Sequence, residues 1–383
     1  MKKVISIVLN NFKNDNRVLK ECLSLKKAGY DVSVIALFEK GLKEKETIQN
    51  IPVHRIKLKS RNLPKNLLVQ LFKYTEFLLK VSLKYKDTDI VHCNDIGTLP
   101  IGVIMKKFLS KRIKVIYDAH EYETETNNLK GFRKSLVKAL EKLLIKHADA
   151  VITVSNSIAN EYVRLYNIKK PTLVLNTPTY KNIQKKNIFR EKFNISEDTT
   201  IFLYQGGLTE GRGINIILEA FKRLSTMKTK KHNSKPVVVF MGYGYLQDKI
   251  KKASREYENI YFHSAVPSDV LLDYTSSADF GLSIIEDTCL NYKYCLPNKL
   301  FEYIMAEIPV VISNLPEMKK FVEKYKLGVV LRENTVDGLI EGINNAMNLN
   351  KERTIENIKK VKKLYNWENE EKKLLKVYSD LIK

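Results

Sequence analysis

The chain has 383 residues and a formal charge of +23, with 66 Lys and Arg against 43 Asp and Glu. That length suits two domains, each with its own core, and 44% hydrophobic content with few prolines excludes a disordered chain. Cys22, Cys93, Cys289 and Cys295 form no CxxC pair and no metal-ligand spacing with histidine, so they read as reduced thiols of a cytosolic protein.

The apolar run Val4–Leu9 is followed by Asn10 and Asn11 with no small-residue cleavage site, so it reads as a first strand and not as a signal peptide. A helix is expected over Arg17–Ala28 and a strand over Val32–Leu37. Further short strands are expected over Ile90–Cys93, Val115–Tyr117 and Val151–Val154, with helical patterns between them. The alternation predicts a parallel sheet covered on both faces, with ligand-binding residues just past the carboxyl ends of its strands. Asn10, Asn11, Asn94, Asp95, His120 and Glu121 fall there. No GxGxxG follows the first strand, which argues against a nicotinamide-binding domain.

Lysines recur every four residues at Lys130, Lys134, Lys138, Lys142 and Lys146, with Leu136, Leu140, Leu143 and Leu144 as an apolar face. A second basic stretch, Lys65 to Lys86, carries Lys73, Lys80 and Lys84. Such helices dock on anionic lipid head groups, and they are also common as solvated faces. No helix-turn-helix, zinc-finger or aromatic-basic signature accompanies the charge, so nucleic acid is not an expected partner.

The linker is placed at Asn176 to Asn187. Beyond it, strands are expected over Ile201–Tyr204, Val237–Met241, Ile260–Phe262, Phe280–Ser283 and Val310–Ser313. Gly206, Gly207, Gly211 and Gly213 join the first of these strands to a helix whose apolar positions are Ile214, Ile217, Leu218, Phe221 and Leu224. Such a turn brings backbone N–H groups to an anion at the helix's positive end, and Arg212 adds a cation; a plain packing turn is the other reading. No GK[ST] follows, so this is not a Walker loop. Gly242 ends the next strand. Farther on, Pro297 suits the first turn of a helix that buries Leu300, Phe301, Ile304 and Met305. Lys299 and Glu302 then share its other face, as a phosphate and sugar grip or as a surface ion pair.

The Gly206–Gly213 segment and the Leu296–Val311 segment together resemble the family 4 glycosyltransferases, which have the GT-B fold and retain anomeric configuration. Asn14–Glu21, Asn94-Asp95 with Thr98-Leu99-Pro100, and Tyr117–Glu121 extend the likeness toward the bacterial surface and capsular polysaccharide branch. The resemblance implies α/β architecture: two Rossmann-like domains with parallel sheets facing across a donor-binding cleft. Residues 1–178 would form the acceptor domain, 188–366 the donor domain, and 367–383 a helix crossing back onto the first. It also implies that Gly206, Gly207, Arg212, Asn298, Lys299, Glu302, Gly242 and Val266 bind the donor. In that assignment Glu302 holds the ribose, and the loop ending at Val266 meets the base through its backbone.

His120, within Asp118-Ala119-His120-Glu121, is the leading catalytic candidate, and Asp118 or Glu121 would orient its ring. Asp95 would bind acceptor hydroxyls or act as base, or else cap the helix starting near Thr98. Asn11, Asn94 and Glu121 are assigned to the acceptor side. Two departures concern the donor sugar. Tyr294 stands where many members carry Glu, so Glu286 or Asp287 is expected to supply that carboxylate, and Gly207 stands where many carry Arg. With Arg212 and Lys299 stabilising the diphosphate, no cofactor or metal is expected. The substrate would be a nucleotide-diphosphate sugar, with UDP-sugar favoured, and the acceptor a glycan or polyprenyl-linked molecule. The expected location is the cytoplasm, peripheral on the inner membrane face. A UDP-sugar 2-epimerase of the same fold and a non-catalytic basic membrane-binding module remain as alternatives.

Overall fold

The computed structural model describes residues 1–64, 66–227 and 235–382. Lys65, where the second basic stretch begins, lies outside them. The chain forms two compact units, Met1–Leu175 with Glu370–Lys383, and Asn176–Asn369.

In the first unit the elements run β1 (Lys3–Ile7), α1 (Asn16–Lys27), β2 (Asp31–Leu37), β3 (Lys45–Ile48), β4 (Ile51–Ile56), α2 (Leu67–Lys84) and β5 (Ile90–Asn94). They continue as α3 (Leu99–Ile104), β6 (Lys114–Ala119), α4 (Gly131–Leu144), β7 (Ala150–Thr153), α5 (Asn156–Tyr166) and β8 (Thr172–Leu173). The sheet order is β3-β4-β2-β1-β5-β6-β7-β8. Val4, Ile7, Val34, Ile35, Val91 and Cys93 are buried, as strands covered on both faces require. All pairs are parallel except β3 with β4, which form an antiparallel hairpin at the edge. Its turn residues Gln49 and Asn50 both have positive φ, 45° and 68°, the requirement of a tight hairpin turn. Helix starts follow local chemistry: the Asp15 carboxylate accepts from the Val18 N–H, and the Ser155 hydroxyl from the Ile158 N–H.

The second unit carries α6 (Ile188–Phe193), β9 (Ile201–Gly207), α7 (Ile214–Thr226), β10 (Val237–Tyr243), α8 (Gln247–Glu256), β11 (Ile260–Ser264), α9 (Leu271–Thr275) and β12 (Phe280–Ser283). Then come α10 (Leu290–Lys293), α11 (Asn298–Met305), β13 (Val310–Ile312), α12 (Pro316–Tyr325), β14 (Gly328–Val330), α13 (Val336–Met347), α14 (Lys351–Lys362) and α15 (Trp367–Ile382). Its sheet, β11-β10-β9-β12-β13-β14, is parallel throughout. The Phe202 and Phe280 rings stack at 5.1 Å in a core that α7 closes with Ile217, Leu218 and Phe221.

Helix α15 starts in the second unit and its residues from Glu370 onward belong to the first. The Glu370 carboxylate accepts from the Leu175 N–H at 2.9 Å, and the buried Tyr378 hydroxyl meets His92 Nδ1 at 2.7 Å. Tyr378→Ala removes a fully buried ring and leaves His92 without that partner. We expect a loss of about 3–5 kcal/mol, read by urea unfolding; a loss below about 1 kcal/mol would show the tail to be dispensable to this core.

Candidate active site

In the second unit β9 runs past Tyr204 through Gly206 and Gly207, so two of the four glycines lie in the strand and not in the turn. Gly206 has φ +118°, and a Cβ there would sit 3.6 Å from both Cε and Nζ of Lys299. That distance is ordinary contact, so it is the positive φ, and not the space, that calls for glycine at this strand end. Gly242 is buried, and a Cβ on it would fall 1.9 Å from the Gly206 carbonyl oxygen. Its lack of a side chain allows the close approach of the two strands. Gly213 opens α7 at φ +70°. Glu286 closes this turn: its N–H donates to the Gly211 carbonyl at 3.1 Å, and its Oε1 accepts from the Gly213 N–H at 3.2 Å. A carboxylate thus sits at the positive end of α7.

Lys299 is buried on α11, where an exposed position was expected; its Nζ lies 3.7 Å from the centre of the Tyr204 ring. Burial, and then the nearby Arg212 charge, lower its pKa to about 7, against an opposing pull from Glu302. The Arg212 guanidinium lies 4.6 Å from the Tyr292 ring centre. Glu302 accepts from Gln205 Nε2 at 2.5 Å, and Gln205 Oε1 accepts from the Thr275 hydroxyl at 2.8 Å. Neither Gln205 nor Thr275 was foreseen. Asn298 is exposed as the first residue of α11, which Pro297 precedes in extended conformation. Val266 is half-buried in the loop after β11. The grouping within this unit is therefore Gly206, Arg212, Lys299, Glu302 and Glu286.

A lysine with a pKa near 7 must take up a proton to hold an anion tightly. Nucleoside diphosphate binding should then be accompanied by proton uptake above pH 7, and affinity should fall as pH rises through that value. Calorimetry in buffers of different ionisation enthalpy reads this directly; zero proton transfer at pH 8 would refute it.

The first unit gathers a second group at the ends of β5 and β6. His120 Nδ1 lies 3.5 Å from Asp95 Oδ1, and its Nε2 lies 3.5 Å from Asp118 Oδ2. Burial and Arg17 would lower the ring's pKa, but Asp118 and Asp95 prevail and raise it to about 9. Asp118 is fully buried, which alone would raise its pKa; Arg17 and His120 hold it well below the usual carboxylate range. The Arg17 guanidinium meets both Asp118 oxygens, at 3.0 and 3.1 Å, and Glu21 at 3.0 Å. His92 Nε2 completes the set at 3.4 Å from Asp118. Asp95 has left-handed backbone, φ 64°, and its side chain faces His120, so the hydroxyl-bearing Thr98 stands at the start of α3 instead. Burial and the neighbouring Asp95 push the Glu123 carboxyl well above the ordinary range.

Of the acceptor-side assignments, Glu121 is exposed and Asn11 half-buried, its amide donating to Glu39 at 2.5 Å. Asn94 is corrected: it lies inside the sheet, donating to the Ser6 hydroxyl at 2.9 Å and the Ile7 carbonyl at 3.0 Å. Ligand atoms of Glu21, Asp118 and His120 come within 4.8 Å of one another, but both carboxylates already bind the Arg17 guanidinium. Arg17, Glu21 and Glu123 had no assigned role; the i,i+4 pairing of Arg17 and Glu21 on α1 was the available signal.

His120 is held protonated by carboxylates, and its folded pKa exceeds the ordinary 6.5. Its stabilising contribution is therefore full below about pH 6.5 and is lost as pH rises through about 9. His120→Gln should flatten the pH dependence of unfolding free energy across that window. An unchanged slope would remove the charge assignment.

Two parallel-sheet α/β units with these constellations define the GT-B class of protein. Residues 16–177 match the family described as Glycosyltransferase Family 4, and residues 185–361 match Glycosyl transferases group 1. The chain belongs to the family 4 type of glycosyltransferase. It is 25% identical to a glycosyltransferase of Methanocaldococcus jannaschii, over 91% of this chain and 90% of that protein. It is 30% identical to the lipopolysaccharide 1,2-N-acetylglucosaminetransferase of Salmonella typhimurium, over 50% of this chain and 51% of the relative. The structure of Anabaena HepE in complex with UDP-glucose superposes with a TM-score of 0.75 at 14% identity, covering 99% of this chain and all of that one.

Proposed function

We propose that this glycosyltransferase moves a sugar, with retention, from a nucleotide-diphosphate sugar to a glycan or polyprenyl-linked acceptor in surface polysaccharide assembly. The observation that carries it is the pair of interacting cations, Arg212 and buried Lys299, the latter lying against the strand end at Gly206. In the transfer, the bond from the anomeric carbon to the diphosphate oxygen breaks and a bond to the acceptor oxygen forms. Charge builds on the departing diphosphate, where two fixed cations in a partly dry site stabilise it most. Glu302, held by Gln205, is suited to ribose hydroxyls. UDP is the favoured nucleotide, supported by the UDP-glucose complex of the structurally similar HepE. Surface polysaccharide assembly is supported by the likeness to the lipopolysaccharide enzyme.

In this reading His120 serves as a hydrogen-bond donor. A ring with a pKa near 9 donates hydrogen bonds at neutral pH and does not accept a proton. Proton acceptance from the acceptor hydroxyl falls to a carboxylate; of the two that face the ring, Asp118 is fully buried and bound by Arg17, and Asp95 is exposed. Because protein cations carry the diphosphate charge, catalysis is metal-independent in this account.

Arg212→Ala and Lys299→Ala should each lower turnover about 100-fold or more, the scale of losing one charge-stabilising donor, while far-ultraviolet circular dichroism stays unchanged. Glu302→Ala should chiefly raise KM for the donor. Activity should persist in excess EDTA, and the product's anomeric configuration, read by NMR, should equal the donor's. Full activity of both cation variants would refute the site, and release of a rearranged sugar without transfer would favour an epimerase.

A further inference from the structure

Two helices of the first unit turn apolar side chains to solvent. On α2 the exposed stripe is Leu68, Phe72, Leu79 and Leu83; on α4 it is Phe132, Leu136, Leu140 and Leu143. These spacings of three, four and seven place each stripe on a single helix face. Between them, α3 continues into a π-helical turn, Met105–Leu109, that exposes Phe108. Helix α3 packs beside both α2 and α4, so the stripes belong to one face of the unit. Leu68 and Phe108 are each 78% exposed and Phe132 82%, far beyond scattered surface hydrophobes.

The charge around this face has one sign. The only carboxylates on α2, on residues 99–109 and on α4 are Glu76 and Glu141. Glu76 is bound by Lys80 and by Ser60, and buried Glu141 by the hydroxyls of Tyr117, Tyr162 and Tyr166. Exposed cations remain at Lys107, Lys111, Arg112, Arg133, Lys142 and Lys146. Lys134 and Lys138, by contrast, are tied to the buried carboxylate of Glu125. Two of the five lysines in the basic stripe expected to meet head groups are therefore held by an internal carboxylate, and the protruding apolar side chains add to what the stripe retains. A second copy of this chain would bring the same positive charge to the contact, so self-association is disfavoured. Among the described residues no helix is long and apolar enough to cross a membrane.

We propose that the α2–α3–α4 face docks on an anionic phospholipid bilayer. Its leucines and phenylalanines enter the boundary of the acyl chains, and the surrounding lysines and arginines meet the head-group phosphates. This surface is independent of the transfer chemistry proposed above, and donor hydrolysis is read separately.

The test is flotation of the full chain with vesicles of phosphatidylcholine alone or mixed with phosphatidylglycerol. Wild type should float with the mixed vesicles only, and salt should weaken without abolishing the binding. Phe132→Ser/Leu136→Ser/Leu143→Ser and, separately, Leu68→Ser/Phe72→Ser should each lower the partition coefficient at least about tenfold, since each removes several buried apolar groups. Melting temperature and donor hydrolysis should match wild type in both variants. Wild-type flotation by both variants, or no flotation of wild type, would overturn the proposal. So would sedimentation velocity showing a wild-type dimer that the triple variant dissolves.

Discussion

A lysine ammonium buried against an aromatic ring is the constraint around which the second unit's site is built. Lys299 lies over Tyr204, near the positive charge of Arg212, and its pKa falls to about 7. Burial of an ammonium is unfavourable unless something negative compensates it. Gly206 holds the strand end beside that head group in a positive-φ conformation, and Gly242 lets β10 approach the same strand end. Glu302 is turned into hydrogen bonding with Gln205, so its charge is shared. In the proposed reading an incoming diphosphate relieves the electrostatic tension of the free site, which would make anion binding and lysine protonation one event.

The first unit solves the opposite problem. Asp118, Glu21 and Asp95 bring negative charge together at strand ends, and Arg17 and His120 neutralise it. Arg17 acts from α1, across the sheet order from β6, so the site depends on the helix that follows β1 as well as on the loop carrying His120. Through His92 the cluster also reaches Tyr378 on α15. Packing of the C-terminal helix and the charge state of the site are thereby linked.

The alternating apolar runs made most of both sheets legible, because parallel strands buried on two faces must be apolar throughout. The β3–β4 hairpin was not legible: Lys45–Ile48 is polar at alternate positions and short, Pro52 interrupts the next run, and the turn uses Gln49-Asn50 in place of Asn-Gly. Arg212, Lys299 and Glu302 could be named from glycine spacing and helix phase. Burial of Lys299 could not, since spacing alone places it on the polar face. Glu125 and Glu141 were hidden for a related reason: in a lysine-rich stretch a glutamate reads as a surface partner, and here both are buried. Their capture of lysines and tyrosines is what leaves α4's leucines facing outward.

The central claim, that Lys299 is a diphosphate-holding cation kept at a cost in the empty site, is tested most directly by thermal denaturation with and without nucleoside diphosphates. Wild type and Lys299→Met would be compared in EDTA, on the acid side of the lysine's pKa of about 7. The account predicts that Lys299→Met melts higher than wild type without ligand, because a well-packed apolar chain replaces a buried ammonium. It also predicts that uridine diphosphate raises the melting temperature of wild type and not of the variant. Equal ligand-induced shifts in the two proteins, or no shift in wild type with any nucleoside diphosphate, would contradict it.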